Sequence, residues 1–99
     1  MASITCVKTS GKVTLSGTTV DTVTVSEAGE MIVCNWTGSS DLTVTWGLNG
    51  STPATPVAGA AETFSVPAGM ARRLQQQSYN SPMILKVLGN GNVYSVERT

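Results

Sequence analysis

The segment Asp41 to Leu48 reads Asp-Leu-Thr-Val-Thr-Trp-Gly-Leu, and its apolar residues alternate without a break. Leu42, Val44, Trp46 and Leu48 fall on one side, Thr43 and Thr45 on the other. Successive side chains of a strand point to opposite faces, so this segment is a strand with one buried and one wet face. Lys12 to Ser16 and Val23 to Ser26 carry the same period. Thr and Val recur along the chain, and their branched Cβ atoms lose rotamer freedom in a helix but fit a pleated surface. No apolar stripe of helical spacing persists over three turns, so no long helix is expected.

Strands are predicted near residues 3–8, 11–16, 19–26, 30–37, 41–48, 61–66, 71–77, 82–88 and 92–98. Ser10-Gly11, Ser16-Gly17, Glu27-Ala28-Gly29-Glu30 and Thr37-Gly38-Ser39-Ser40 break them apart. Gly89-Asn90-Gly91-Asn92 is the strongest hairpin signal, because Asn-Gly supports a type I′ turn whose twist matches paired strands. Short strands at regular spacing indicate an all-β fold. The expected architecture is a single-domain antiparallel β-sandwich, Ig-like or jelly-roll-like, of about 7–9 strands over residues 1–99, with 1–9 able to extend as an N-terminal arm. Leu42, Val44, Trp46, Phe64, Leu85, Val87 and Tyr94 are the expected core.

Three segments depart from simple alternation. Met31-Ile32-Val33-Cys34 and Met83-Ile84-Leu85 are apolar on consecutive positions, as in central strands covered on both sides or meeting a partner. Arg72 to Gln77 is polar on both faces, as in an edge strand or a contact surface. The stretch Asn49 to Ala61 contains Pro53 and Pro56, which cannot donate backbone hydrogen bonds, so it is no central strand. Its length suits a functional loop or a crossover between sheets.

Composition then narrows the function. Lys plus Arg is 6, Asp plus Glu is 6, and the net charge is zero. A nucleic-acid binder needs several cations per site to displace counterions, and none is expected here. The absence of His removes the usual general base and the commonest metal ligand. No apolar run reaches the roughly 18 residues of a membrane span. The first residues, Met1 to Lys8, carry no charged segment followed by a long apolar one, so folding in a cytoplasm with Cys6 and Cys34 reduced is expected.

No catalytic constellation emerges. Asp21, Glu27, Glu30, Asp41, Glu62 and Glu97 lie mostly in or beside turns, where solvated acids belong. Glu27 and Glu30 read as exposed residues around Gly29 rather than as a paired-acid site. No catalytic residue, cofactor site or metal site is assigned. Trp46 continues the Leu42–Val44 face and is expected in the core, whereas Trp36, beside a Gly-Ser-Ser turn, is expected in core or interface. Low net charge also suits a protein packed against others.

The run Asn35 to Leu48, Gly50-Ser51-Thr52-Pro53, Glu62 to Gly69, Met83 to Leu88 and Asn92 to Glu97 together resemble small all-β virion proteins of tailed bacteriophages. The resemblance covers the chain from Asn35 to Glu97 and leaves the first thirty residues unmatched. It implies a non-enzymatic head decoration or cement protein, made in the bacterial cytoplasm and stabilising the capsid exterior. The implied partners are the major capsid protein and further copies of itself, a trimer first. A tail or adaptor component, or a sugar- or receptor-binding module with an exposed Trp in a groove, are the alternatives.

Three segments are the candidate contact surfaces. In the N-terminal segment, Ala2, Ser3, Ile4 and Thr5 are expected to add to a neighbour's sheet edge. The loop with Thr52, Pro53, Pro56 and Val57 is stiffened by proline, so ordering it on a partner loses less entropy. On the polar strand, Arg72 or Arg73 is expected to fork onto a partner carboxylate, with Gln75 alongside.

Overall fold

Each strand of alternating pattern must bury its apolar face against another sheet, and the chain does so by building two sheets face to face. The computed structural model describes residues 1–26, 30–47, 50–75 (Gln75 by its backbone) and 82–98. Its strands are β1 (Ser3–Cys6), β2 (Val13–Thr14), β3 (Thr18–Val25), β4 (Glu30–Thr37), β5 (Leu42–Gly47), β6 (Phe64–Val66), β7 (Ala71–Gln75), β8 (Met83–Asn90) and β9 (Val93–Arg98). Five form one sheet in the order β1-β3-β8-β5-β6, and four form the other in the order β2-β9-β4-β7. The expected all-β sandwich is present. Leu48, the Glu27–Gly29 turn and Gln76 of the expected polar strand lie outside the described residues.

The interior is apolar and short-chained. Val23, Val25, Leu42, Val44, Val66, Met83, Leu85 and Val87 come from the five-stranded sheet. Met31, Val33, Tyr94 and Val96 answer them from the four-stranded sheet, and Leu15 closes one end. The two doubly apolar segments are central strands, β4 between β9 and β7, and β8 between β3 and β5. Their second faces, with Ile32, Cys34 and Ile84, are half-buried. Both cysteines are free and half-buried, and burial pushes the Cys6 thiol above its usual range.

Topology corrects three expectations. The Gly89–Asn92 turn does not close a hairpin, because β8 and β9 belong to different sheets. Every connection except β5–β6 passes between sheets, so this tight turn is a corner. The long Pro-rich segment is the exception, since it joins β5 to β6 within one sheet and is no crossover between the two. The fold is also not wholly antiparallel: β1 runs parallel to β3, with Ser3 opposite Thr22 and Cys6 opposite Val25.

Buried polar groups tie the sheets together. Asp21 on β3 and Tyr94 on β9 are both buried, and the Tyr94 hydroxyl donates to Asp21 Oδ2 at 2.8 Å. The other carboxyl oxygen accepts from the Ala2 N–H at 2.9 Å. A second knot joins Asn35 on β4 with Asn92 in the β8–β9 corner. Asn92 Nδ2 donates to Asn35 Oδ1 at 3.0 Å and to the Ser40 carbonyl at 2.8 Å. Asn35 Nδ2 donates to the Val66 carbonyl of β6 at 2.9 Å. Gly38 sits at positive φ against this knot, and a Cβ there would collide with the Asn92 amide.

Burial, and then the hydrogen bond to Asp21, raises the Tyr94 hydroxyl far above its usual pKa of about 10. The unfolded chain therefore ionises first as pH rises. The stabilisation is complete below about pH 10 and is lost above it. Urea midpoints should fall between about pH 8 and about pH 11. Tyr94→Phe should be weaker at pH 8 by about 1–3 kcal/mol, because Asp21 loses a donor, yet fall less steeply with alkali. An alkaline slope identical to wild type would show that Tyr94 is not the group involved.

Candidate functional site

β5 carries the site because its neighbour stops short. β6 pairs with β5 only from Leu42 to Val44, opposite Val66 to Phe64. Two residues further along, Trp46 has the inward parity of Leu42 and Val44 but no β6 residue beside it. The indole is 40% exposed and rests on Phe64, with ring centroids 5.4 Å apart at 52°. Trp46 is thus a rim residue and not core, and Phe64 is only partly buried. The alternation was sound; what it lacked was where the covering strand ends.

Arg72 continues the stack from the other sheet. It stands opposite Val33 across β4–β7 and so faces inward from an edge strand. Its guanidinium lies 5.4 Å from the Phe64 ring centroid. Arg73, next along, faces outward and pairs with Glu30 at 3.4 Å. The two arginines thus divide as adjacent strand residues must, one on an aromatic ring and one on an acid.

The Pro-rich loop supplies the remaining wall. The Thr45 hydroxyl donates to the Ala54 carbonyl at 2.6 Å, drawing the loop onto the outer face of β5. Pro53 and Pro56 are buried there, while Thr52, Ala54 and Val57 stay exposed. The Ser51 carbonyl passes so close to Gly47 that a Cβ there would overlap it. An open groove of about 590 Å³ results, bounded by Trp46, Gly47, Ser51, Thr52, Pro53 and Glu62. It offers one indole, one carboxylate and several hydroxyls. An indole can stack on a partner and the hydroxyls can hydrogen-bond to it.

The sequence candidates therefore separate. Thr52, Pro53 and Arg72 adjoin the same rim through Trp46 and Phe64. Pro53 and Pro56 are buried within this chain. Ala2, Ser3, Ile4 and Thr5 are at the opposite edge of the five-stranded sheet, paired with β3 and anchored by Asp21, and are not a free arm. Gln75 pairs by its backbone with Glu30. Trp46, Phe64 and Glu62 were not among the candidates. Among the described residues no three potential metal ligands come together, and no helix is long and apolar enough to cross a membrane.

No protein-family model matches the chain, and no curated protein matches its sequence. One solved structure is similar: that of Aeromonas hydrophila PliG, a periplasmic lysozyme inhibitor of g-type lysozyme. The similarity covers 100% of both chains at 14% identity, with a TM-score of 0.54. It is a likeness of fold. It corrects the head-decoration expectation, since the solved structure that the fold resembles is that of a lysozyme inhibitor and not of a phage virion protein.

Rim and core should respond differently to truncation. Leu42→Ala should cost about 2–5 kcal/mol in urea unfolding, as buried leucines do. Trp46→Ala should cost less than about 2 kcal/mol, since much of the indole is already in water. Equal losses would place Trp46 in the core.

Proposed function

We propose that this chain is a non-enzymatic protein inhibitor of a lysozyme, bound through the rim formed by Trp46, Phe64, Arg72 and the Ser51–Ala54 turn. The observation that carries the reading is the fold likeness to the Aeromonas hydrophila inhibitor over the full length of both chains. The rim supplies the physical means. Binding energy at protein interfaces concentrates in a few Trp, Tyr and Arg side chains, and Trp46 and Arg72 lie on one stack here. The loop beside them is held by Pro53, Pro56 and the Thr45 hydrogen bond, so little ordering remains to be done on association. Lysozymes act through carboxyl groups flanking the scissile bond. A guanidinium stacked on an aromatic ring keeps its N–H edge available for such a group.

The test is clearance of a cell-wall suspension by purified g-type lysozyme, with c-type lysozyme in parallel. The chain should slow lysis by at least one of them at micromolar concentration. Trp46→Ala and Arg72→Ala, each still folded by circular dichroism, should each weaken inhibition by about tenfold or more. Undiminished lysis by both enzymes at a large molar excess of the chain would contradict the reading.

A further inference from the structure

The two sheets present unlike outer faces. The Pro-rich loop covers part of the five-stranded sheet, leaving Thr43 and Thr45 buried. No loop of that kind is bound to the outer face of the four-stranded sheet among the described residues, where one side chain, Lys12, reaches over the Trp36 ring with its Nζ 4.5 Å from the centroid. There Ile32 and Cys34 of β4 form a half-buried stripe. It continues into Trp36, which sits at the β-bulge between Asn35 and Thr37 and is 45% exposed. The Trp36 indole N–H reaches across to β9 and donates to Ser95 Oγ at 2.8 Å, which fixes the ring over the sheet.

The charges flanking that stripe are arranged antisymmetrically. Ile32 stands opposite Arg73 on β7 and opposite Glu97 on β9, so one row of the face reads Arg73, Ile32, Glu97. Both charged residues are exposed. Neighbouring strands are about 4.8 Å apart, so the cation and the acid lie roughly equally far to either side of β4. A second copy turned by 180° about an axis along β4, with the faces opposed, brings its Glu97 against Arg73 and its Arg73 against Glu97. Glu30, Ile32 and Cys34 of β4 fall on the axis and meet their own counterparts, so the two Glu30 carboxylates face one another, each paired with its own Arg73. In the next row Ala71 and Ser95 flank Cys34, so the Trp36 indole lying on Ser95, with Lys12 over its ring, is on the side of the second copy's Ala71. Small side chains oppose the large one. The Arg73–Glu30 pair at 3.4 Å is retained, and Arg73 then bridges two acids.

The geometry points to the outer face of the four-stranded sheet as a two-fold, self-complementary interface whose occupant is a second copy of this chain. A closed isologous contact of this kind needs only one patch that matches itself after a half-turn. Four short strands make a small face, at the lower end of stable interfaces, so the dimer forms at micromolar concentration or above. The arrangement leaves the Trp46 rim free and does not depend on what that rim binds. It is two-fold, unlike the trimer implied by the sequence resemblance.

Sedimentation equilibrium over micromolar to submillimolar concentration tests it. The mass should rise from 10.3 kDa toward twice that value. Arg73→Glu and Glu97→Arg should each weaken the dimer by about tenfold or more, through like charges brought together. The R73E/E97R double variant should recover most of the loss. Because Cys34 lies on the axis, a short bismaleimide should join two copies through it. The link should survive Cys6→Ser and vanish in Cys34→Ser, with all variants shown to be folded by circular dichroism. A monomer at every concentration would overturn the proposal. So would a dimer that ignores both single charge reversals, or one that cross-links only through Cys6.

Discussion

The hydrogen bond from Tyr94 to Asp21 joins the two sheets through the interior, and the alignment of everything else follows from it. The core around it is mostly valine, leucine and methionine. Burial of such side chains is strong but non-directional, so one valine packs about as well as its neighbour two residues along. A buried carboxyl and hydroxyl tolerate no such slip, because each group left without its partner costs about 1–3 kcal/mol or more. The same carboxyl also receives the Ala2 N–H, so the parallel strand β1 is held in register by the contact that aligns β3 with β9. Asn35 stands opposite Tyr94 in the same row and is bonded to Asn92. Together these groups pin one end of the sandwich.

The opposite end carries the proposed binding rim. Trp46 lies four residues along β5 from Leu42, or about 13 Å at the rise of a strand. No polar knot closes the sheets there, β6 has ended, and β7 offers an arginine in place of an apolar side chain. An aromatic pair capped by a guanidinium is stable in water and also ready to be covered. The Pro-rich loop owes its position to the same strand, through Thr45 and Gly47. In the proposed reading, stability and binding fall at different ends of one strand, with the outer face of the four-stranded sheet as a third, separate surface.

Much of the fold was legible in the sequence, because period-two alternation is a local signal. The nine predicted segments match the nine strands among the described residues, and the consecutive apolar runs at Met31 and Met83 mark central ones. Pairing was less legible. Gly89-Asn90-Gly91-Asn92 carries the chemistry of a hairpin turn, yet the same turn serves as a corner, held by contacts distant in sequence such as that between Asn35 and Asn92. Ser3 to Cys6 gives no sign of a parallel partner. Trp46 was misplaced because alternation reports which face a residue occupies and not whether anything lies opposite. Its grouping with Phe64 and Arg72 depends on where three separate strands end. The buried role of Asp21 was hidden for a similar reason, since a lone acid between threonines and valines resembles any solvated one.

A double-mutant cycle between Asp21 and Tyr94 measures the central constraint directly. Asp21→Ala, Tyr94→Phe and the double variant would be compared with wild type by urea unfolding at neutral pH. If the pair aligns the sheets, the single losses should exceed additivity, with a coupling energy of about 1–3 kcal/mol. Losses that add to within about 0.5 kcal/mol would show that the two groups act independently and that apolar packing alone sets the alignment.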